Sequence, residues 1–266
     1  MGQPAVTTFD ITAEPKPVRP ASNIQGIRER PVSTDAGNAL RRRATSVQQF
    51  DAFAEIPLAD CISIVASAQD RQHPRRHTLF FEGDPVRQVV LLTTGFAKIT
   101  QLSANGQEVI LRLNGPGDVL GGVGRCIDCE HCSTARTVQP TTALVWETAQ
   151  FDAVCDRFPR LRRNIAHVLE RRLNELEVRF REISTEKVSP RLSSQLVRLM
   201  TQVGKPIDGQ IEIALSRREL AQLTGTTLFT VSRLLCQWES QGIVSARREA
   251  VLVRDVAALQ QLSRSE

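Results

Sequence analysis

The segment from residue 215 to residue 242, LSRRELAQLTGTTLFTVSRLLCQWESQG, constrains the fold of this chain more than any other. Ser216 is a strong N-cap residue, and Glu219 three positions later completes a capping box, so a helix is predicted to begin here. Gly225 suits a turn that needs a positive φ. The pattern therefore predicts two short helices joined by a tight glycine turn.

The second helix is predicted to begin at Thr226 or Thr227 and to end before Gly242. Its inner face is an apolar stripe: Val231, Leu234, Leu235 and Trp238. Its opposite face carries a different set: Thr227, Phe229, Ser232, Arg233 and Gln237. This layout is typical of a helix-turn-helix whose second helix enters the DNA major groove, although an ordinary αα-hairpin on a core has a similar pattern.

The residues that follow favour the DNA-binding interpretation. Ile243-Val244 and Val251–Val253 predict the two strands of a wing with a basic tip, and Asp255 can cap a last short helix. A wing after a helix-turn-helix is much less expected by chance than two helices alone. We predict that six side chains hold phosphates or flanking bases: Arg217, Arg218, Thr227, Gln237, Arg247 and Arg248.

The chain becomes strand-like between residues 77 and 146. Glycine-containing turns separate short apolar or alternating runs, and Asn105-Gly106 is a strong hairpin signal. This spacing predicts an all-β sandwich or barrel. The runs are Leu79–Phe81, Val89–Leu92, Phe96–Ile99, Val109–Leu113 and Ala143–Trp146.

A long helix is predicted from about Leu161 to Glu186, after Pro159 interrupts an earlier helix. Apolar residues on it step by 4, 7, 4 and 3, which indicates a narrow coiled-coil seam. The seam favours a parallel dimer over packing on the chain's own sheet, and a dimer would place two recognition helices on a palindrome. The predicted interface residues are Ile165, Leu169, Leu176, Phe180 and Ile183.

Two stretches resemble the Crp/Fnr superfamily of bacterial transcription regulators. GTTLFTVSRLLCQWESQGIV, residues 225–244, resembles that family's recognition helix, and residues 75–121 resemble its N-terminal β-roll. The resemblance covers roughly residues 50–262. It implies an α+β fold with an antiparallel β jelly-roll, a long dimerisation helix and a C-terminal winged helix-turn-helix. It also implies three partners: palindromic double-stranded DNA, a second copy of the chain and RNA polymerase.

The resemblance and the composition together divide the chain into four parts. Residues 1–45 are rich in Pro, Thr, Ser and Arg without an apolar period, so we expect a disordered tail there. Residues 46–158 are the expected cyclic-nucleotide-binding-like sensor domain, residues 159–186 the dimerisation helix, and residues 187–266 the DNA-binding domain.

Three cysteines in seven residues, Cys126, Cys129 and Cys132, predict a metal centre. Thiolates at C-x2-C-x2-C spacing favour an iron–sulfur cluster and, after it, zinc. Cys61 or Cys155 is the predicted fourth ligand, and His131 is an alternative for zinc. A thiol redox switch, or three incidental thiols, are the other interpretations. Cluster-bearing relatives place three cysteines near their N-terminus, so their ligand positions cannot be transferred.

The same loop follows the segment that binds the cyclic phosphate in nucleotide-binding relatives. The resemblance implies a Gly-Glu pair where this chain has Gly121-Gly122. It implies an Arg-Ser or Arg-Thr pair where this chain has Cys132-Ser133 or Ser133-Thr134, with Arg136 offset. Without that arginine a phosphate loses its best bidentate partner, so we predict that cAMP is not the effector.

Arg233 is the leading candidate for base recognition, because an arginine can bind guanine O6 and N7 bidentately. Ser232-Arg233 matches the Ser-Arg pair of the family's motif. Phe229 stands where many relatives have glutamate, and its ring can pack on a thymine methyl group. Leu228 replaces a residue that is often arginine. We therefore expect a half-site that differs from the family's usual one.

Composition limits the remaining functions. The chain has 266 residues and a net charge of +5, which suits nucleic acid without requiring it. Its sequence lacks an apolar run of membrane length and a signal peptide, so we expect a cytoplasmic protein with no membrane partner. No acid/base constellation indicates an enzyme. The predicted signal is a redox state or a gas. One alternative is a regulator that has a structural zinc or a thiol switch and responds to another small-molecule effector. The other is a DNA-binding dimer that is constitutively active.

Overall fold

The computed structural model describes residues 34–122 and 129–263, beginning with helical segments. Helix α1 spans Thr34–Val47, a 3₁₀ turn spans Asp51–Phe53, and helix α2 spans Leu58–Ala66. The predicted disorder is therefore wrong for residues 34–45. Leu40, Ala44 and Val47 recur at helical spacing and pack on the core, which offsets the entropy cost of ordering this segment. Residues 1–33 lie outside the described part.

Two four-stranded antiparallel sheets form the predicted jelly-roll. One sheet has the strand order β1-β8-β3-β6 and the other has the order β2-β7-β4-β5. The strands are β1 (Gln69–His73), β2 (Thr78–Phe80), β3 (Gln88–Thr94), β4 (Ala97–Leu102), β5 (Glu108–Asn114), β6 (Val119–Gly121), β7 (Thr134–Thr137) and β8 (Thr141–Glu147).

The β-roll has two apolar cores. The first lies between one sheet and the helices, and it buries Trp146 together with Phe53. The second lies between the two sheets, where Leu92 and Ala135 are fully buried. The interior between the sheets is thus filled by side chains from both of them.

Helices α3 (Thr148–Arg157) and α4 (Pro159–Thr185) follow the β-roll. The 27-residue α4 carries the predicted seam with one correction. Ile165 is only 4% exposed because it packs in the chain's own core, so it is not available to a partner. Beyond it, α4 exposes an apolar stripe that steps by 4, 3, 4 and 3: Leu169, Leu173, Leu176, Phe180 and Ile183.

Helix α4 is long, but charged residues interrupt its apolar ones throughout. Among the described residues, no helix is both long enough and apolar enough to cross a bilayer.

The C-terminal domain is a winged helix-turn-helix. Its sheet has the order β11-β12-β10-β9, so the predicted two-stranded wing, β11 and β12, is present and is extended by a second hairpin, β9 and β10. The added hairpin turns at Asp208-Gly209, where both residues have positive φ, as a type I′ turn requires. The elements are α5 (Val188–Gln202), β9 (Lys205–Ile207), β10 (Gln210–Ile213), α6 (Arg217–Thr224), α7 (Leu228–Ser240), β11 (Val244–Ala246), β12 (Val251–Val253) and α8 (Val256–Leu262).

The two domains share a packed junction. Ile110 of β5 is fully buried within the apolar core of the C-terminal domain. Arg179 of α4 donates one hydrogen bond to the Leu111 carbonyl and a second, of 2.8 Å, to the Leu223 carbonyl. One guanidinium thus joins the β-roll, the long helix and the end of α6.

Candidate functional site

The first helix of the helix-turn-helix begins with the predicted capping box. The Ser216 hydroxyl accepts from the Glu219 backbone N–H at 3.3 Å, and the Glu219 carboxylate accepts from the Ser216 backbone N–H at 2.9 Å. Gly225 ends α6 with φ +61°, a left-handed conformation that favours glycine. Local sequence signals therefore determine both ends of α6.

The substitution Ser216→Ala is expected to lower the free energy of unfolding by about 1 kcal/mol, because it leaves an α6 backbone N–H without its acceptor. Urea unfolding followed by circular dichroism measures the change. Ser63→Ala is the matched control, since Ser63 is exposed and bonds only within its own helix. It should change stability by less than about 0.5 kcal/mol. Equal losses for the two variants would contradict this role of the capping box.

The second helix, α7, presents its N-terminal half to solvent. Thr227 caps it by accepting from the Thr230 backbone N–H, so the helix begins at Leu228, one residue after the later of the two predicted starts. Leu228 is 50% exposed and Phe229 is 76% exposed, although both are large apolar residues. Arg233 lies one helical turn after Phe229 and is also exposed.

The opposite face of α7 is buried in the core of the domain, which fixes the orientation of the helix. The side chains on that face are Val231, Leu234, Leu235 and Trp238. The exposed side of α7 also includes Gln237 and the free thiol of Cys236, while Ser232 is half-buried. The structure therefore brings the predicted base-contacting residues together on one surface.

The remaining predicted phosphate ligands flank that surface. Arg218 is exposed and Arg217 half-buried at the start of α6. Arg247 and Arg248 are exposed on the wing turn, where Arg247 lies 3.8 Å from the Glu212 carboxylate. The wing turn also approaches the β-roll through Glu249.

Glu249 connects the wing turn to the β-roll. Its carboxylate accepts a 3.1 Å hydrogen bond from Arg75 and lies 3.8 Å from Arg76. The Arg75 guanidinium is itself positioned by the Val138 carbonyl at 3.0 Å. The tip of the wing is therefore held beside the β-roll by ion pairs that remain open to solvent.

The second half of the cysteine loop is anchored to the segment that precedes β3. The Cys129 carbonyl accepts from the Val86 N–H at 2.8 Å, and His131 exchanges backbone hydrogen bonds with Gly83 and Asp84. The His131 ring stacks on Phe80 with centroids 3.7 Å apart, and burial lowers its pKa. This end of the loop therefore has a defined position.

Cys132 is exposed and its thiol is free, whereas Cys129 is disulfide-bonded. Cys126 falls outside the described residues. The two other predicted ligands, Cys61 and Cys155, are buried in the helical core of the β-roll, and burial raises the pKa of both thiols. Their position suits small apolar core residues better than metal-binding thiolates. Among the described side chains, no three metal-binding groups converge.

A polar network leads from Cys132 to α4. Arg112 lies near Cys132 and donates to the Asn114 side chain, and Asn114 donates to Asp118 at 3.1 Å. Asp118 also accepts a 2.6 Å hydrogen bond from Arg172 of α4. Burial first, and then the nearby Arg172 cation, lower the pKa of Arg112, while Asp118 and Cys132 act in the opposite direction. The network couples the loop electrostatically to the long helix.

Two family models match the chain in the order that this architecture requires. The cyclic nucleotide-binding domain matches residues 70–158, and the Crp-like helix-turn-helix domain matches residues 190–262. The chain belongs to the Crp/Fnr superfamily of transcription regulators. It is accordingly a Crp/Fnr-type DNA-binding protein, as the sequence predicted.

The Crp/Fnr relatives of this chain are named for different signals. The cyclic AMP receptor protein of Thermus thermophilus is 29% identical over 73% of this chain and 88% of its own length. The anaerobic regulatory protein of Pasteurella multocida is 25% identical over 73% of this chain and 72% of its own. The c-di-GMP-responsive regulator CLP of Xanthomonas campestris has the same fold, with a TM-score of 0.67, 20% identity, and coverage of 75% of this chain and 100% of CLP.

The residues that we predicted to stand at the family's nucleotide-binding positions are closely packed or hydrogen-bonded within the β-roll. A Cβ added at Gly122, where the Gly-Glu pair would place its acid, would lie 2.4 Å from the Val86 side chain. The Thr134 hydroxyl accepts from the Glu82 N–H, and Arg136 donates to the Thr78 hydroxyl across the sheet. These groups are engaged in the β-roll itself.

Sequence reasoning missed three side chains that connect the parts of this Crp/Fnr protein. Leu173 completes the heptad spacing of the exposed stripe and was recognisable from that spacing. Arg172 and Arg179 had no sequence signal, because each lies among other charged residues of α4 and only the fold shows which cations are bound to carbonyls.

Proposed function

We propose that this chain binds a palindromic DNA site as a homodimer and regulates transcription in response to a redox or gas signal. The observation that carries the DNA-binding part is the exposed N-terminal half of α7, where Phe229 and Arg233 lie one turn apart on a helix fixed by its buried face. Regulators of this family bind DNA and act as dimers. The exposed apolar stripe of α4 supplies the second copy's contact surface.

The half-site should contain a guanine for Arg233 and a thymine whose methyl group packs on Phe229. Selection from a randomised double-stranded library tests the proposal. We expect two inverted half-sites centred about 34–36 Å apart, which is one helical turn. Enrichment of a single half-site, or of no sequence, would count against a symmetric sequence-specific dimer.

For the signal, an iron–sulfur cluster held by the cysteine loop remains the favoured proposal, with zinc second. The exposed Cys132 thiol suits a metal ligand, and His131 is one residue away. Cys61 and Cys155 do not suit the fourth position because they are core residues. A bound cluster would supply sensitivity to oxygen or nitric oxide. A thiol switch follows the two metal centres as a candidate, and the disulfide at Cys129 favours it, because a metal centre would need Cys129 in the reduced, thiolate form.

Whatever group occupies the loop, its charge would act on Arg112. The Arg112–Asn114–Asp118–Arg172 network then connects that charge to α4, and Ile110 connects the same strand to the DNA-binding domain. A change at the loop would bias the equilibrium between two domain arrangements. The altered Gly122 and Arg136 positions support the accompanying proposal that cAMP is not the effector.

Metal analysis and visible absorbance of anaerobically purified protein test the sensor proposal. We expect iron, sulfide and visible absorption, all lost in Cys132→Ser and retained in the matched control Cys236→Ser. Zinc without iron would select the zinc alternative. A protein that lacks iron and zinc, and whose DNA affinity is the same with oxidant and with reductant, would overturn the sensor role and leave a constitutive DNA-binding dimer.

A further inference from the structure

A cleft of about 550 Å³ lies between the β-roll and the DNA-binding domain, away from the cysteine loop. Its β-roll wall includes Phe96, Leu113 and the turn from Val138 to Pro140. Its other wall includes Val203 and Leu215 together with the wing turn from Arg247 to Ala250. The volume falls within the range of about 300–1,000 Å³ that is usual for small-molecule sites.

The charges around this cleft favour an anion. Four cations and two carboxylates line it, which leaves an excess of positive charge. The two carboxylates already face cations, since Glu249 accepts from Arg75 at 3.1 Å and Glu212 lies 3.8 Å from Arg247. The lining cations are Arg75, Lys205, Arg247 and Arg248.

We propose that this interdomain cleft binds a small anion with an apolar body, of the aryl or acyl carboxylate or sulfonate class, and that this anion competes with DNA for the wing arginines. The apolar walls would hold the body of the ligand. The cationic rim, where Arg248 and Lys205 lie beside the two ion pairs, would hold its acidic group.

The competition follows from the position of Arg247 and Arg248. Both residues line the cleft, and both are predicted to hold DNA phosphates or flanking bases, so this part of the inference rests on the proposed function. An anion bound to Arg247 and Arg248 would make both cations unavailable for binding DNA. Because coupling between two binding equilibria is reciprocal, DNA must weaken anion binding by the same factor by which the anion weakens DNA binding.

Fluorescence titration of the full chain with 8-anilinonaphthalene-1-sulfonate tests the site, since this probe is an aryl sulfonate. Two variants alter the cleft without touching the predicted DNA contacts. Ala214→Trp fills it from an exposed position, and Lys205→Glu reverses one charge of its rim. Arg163→Glu is the matched control, because Arg163 is exposed on α4 and does not line the cleft.

We expect the probe to bind the wild-type chain and the Arg163→Glu variant equally. Each cleft variant should bind it about tenfold more weakly, the effect of one lost charge-assisted contact or an occluded site. Saturating DNA should raise the probe's Kd, and the probe should raise the Kd for DNA by the same factor. Equal probe binding by all four proteins would overturn the proposal, as would probe binding that DNA leaves unchanged. Neither outcome would affect the proposed DNA-binding function, which the library selection tests separately.

Discussion

The substitution Phe180→Glu is expected to make this regulator monomeric and to weaken its binding to a DNA with two half-sites about 100-fold or more. Phe180 is 72% exposed, more than any other residue of the apolar stripe on α4. A charge at this position would have to be desolvated in a parallel helix pair, where two copies of the glutamate would also face each other. Light scattering after size-exclusion chromatography measures the oligomeric state, and fluorescence anisotropy measures the DNA affinity.

Val178→Glu is the matched control for this prediction. Val178 is an exposed apolar residue of the same helix, two positions from Phe180 and off the seam. This variant should stay dimeric and should bind DNA as the unaltered chain does. A dimeric Phe180→Glu protein with unchanged DNA affinity would show that the second copy binds elsewhere.

Arg233→Ala is expected to remove discrimination for guanine at one position of each half-site. The loss should be about 1–3 kcal/mol of base discrimination, because a bidentate arginine–guanine contact has that value. Competition between DNA duplexes that differ only at this base pair measures it. The variant should bind both duplexes with similar affinity, close to that of the unaltered chain for the wrong base.

Arg218→Ala provides the contrast, since Arg218 is predicted to hold a phosphate or a flanking base and not the base pair that distinguishes the two duplexes. Its loss should weaken binding to both duplexes by the same factor and reduce the slope of log K against log salt by about 1. If Arg233→Ala behaved in this uniform way and kept its preference for guanine, Arg233 would be a phosphate ligand and the base contact would belong to another residue.

The parts of the fold that the sequence predicted well are those set by local chemistry. The capping box at Ser216 and the left-handed Gly225 each depend on a few neighbouring residues. The Asn105-Gly106 hairpin has the same character, and Gly106 has φ +79°. Such signals need no knowledge of the rest of the chain.

The parts that sequence analysis missed depend on tertiary context. Strand β1 has the polar sequence QDRQH and shows no apolar alternation, because it is an edge strand. Ile165 matched the spacing of the seam, yet it is covered by the chain's own core. Helix α1 was hidden by the Pro-rich residues before it. The interdomain cleft combines residues far apart in sequence, so no local pattern could indicate it.

The burial of Ile110 has a consequence for how this protein can be divided. A strand of the β-roll completes the core of the DNA-binding domain, and Arg179 fastens that strand to the end of α6. Cutting the chain between the two domains would open a hole in the second one and leave carbonyls without donors. We therefore expect the β-roll and the DNA-binding domain to unfold together, although the domain boundary in the sequence lies before α5. The part that contacts DNA cannot lose its native orientation without disturbing the sheet that carries the cysteine loop.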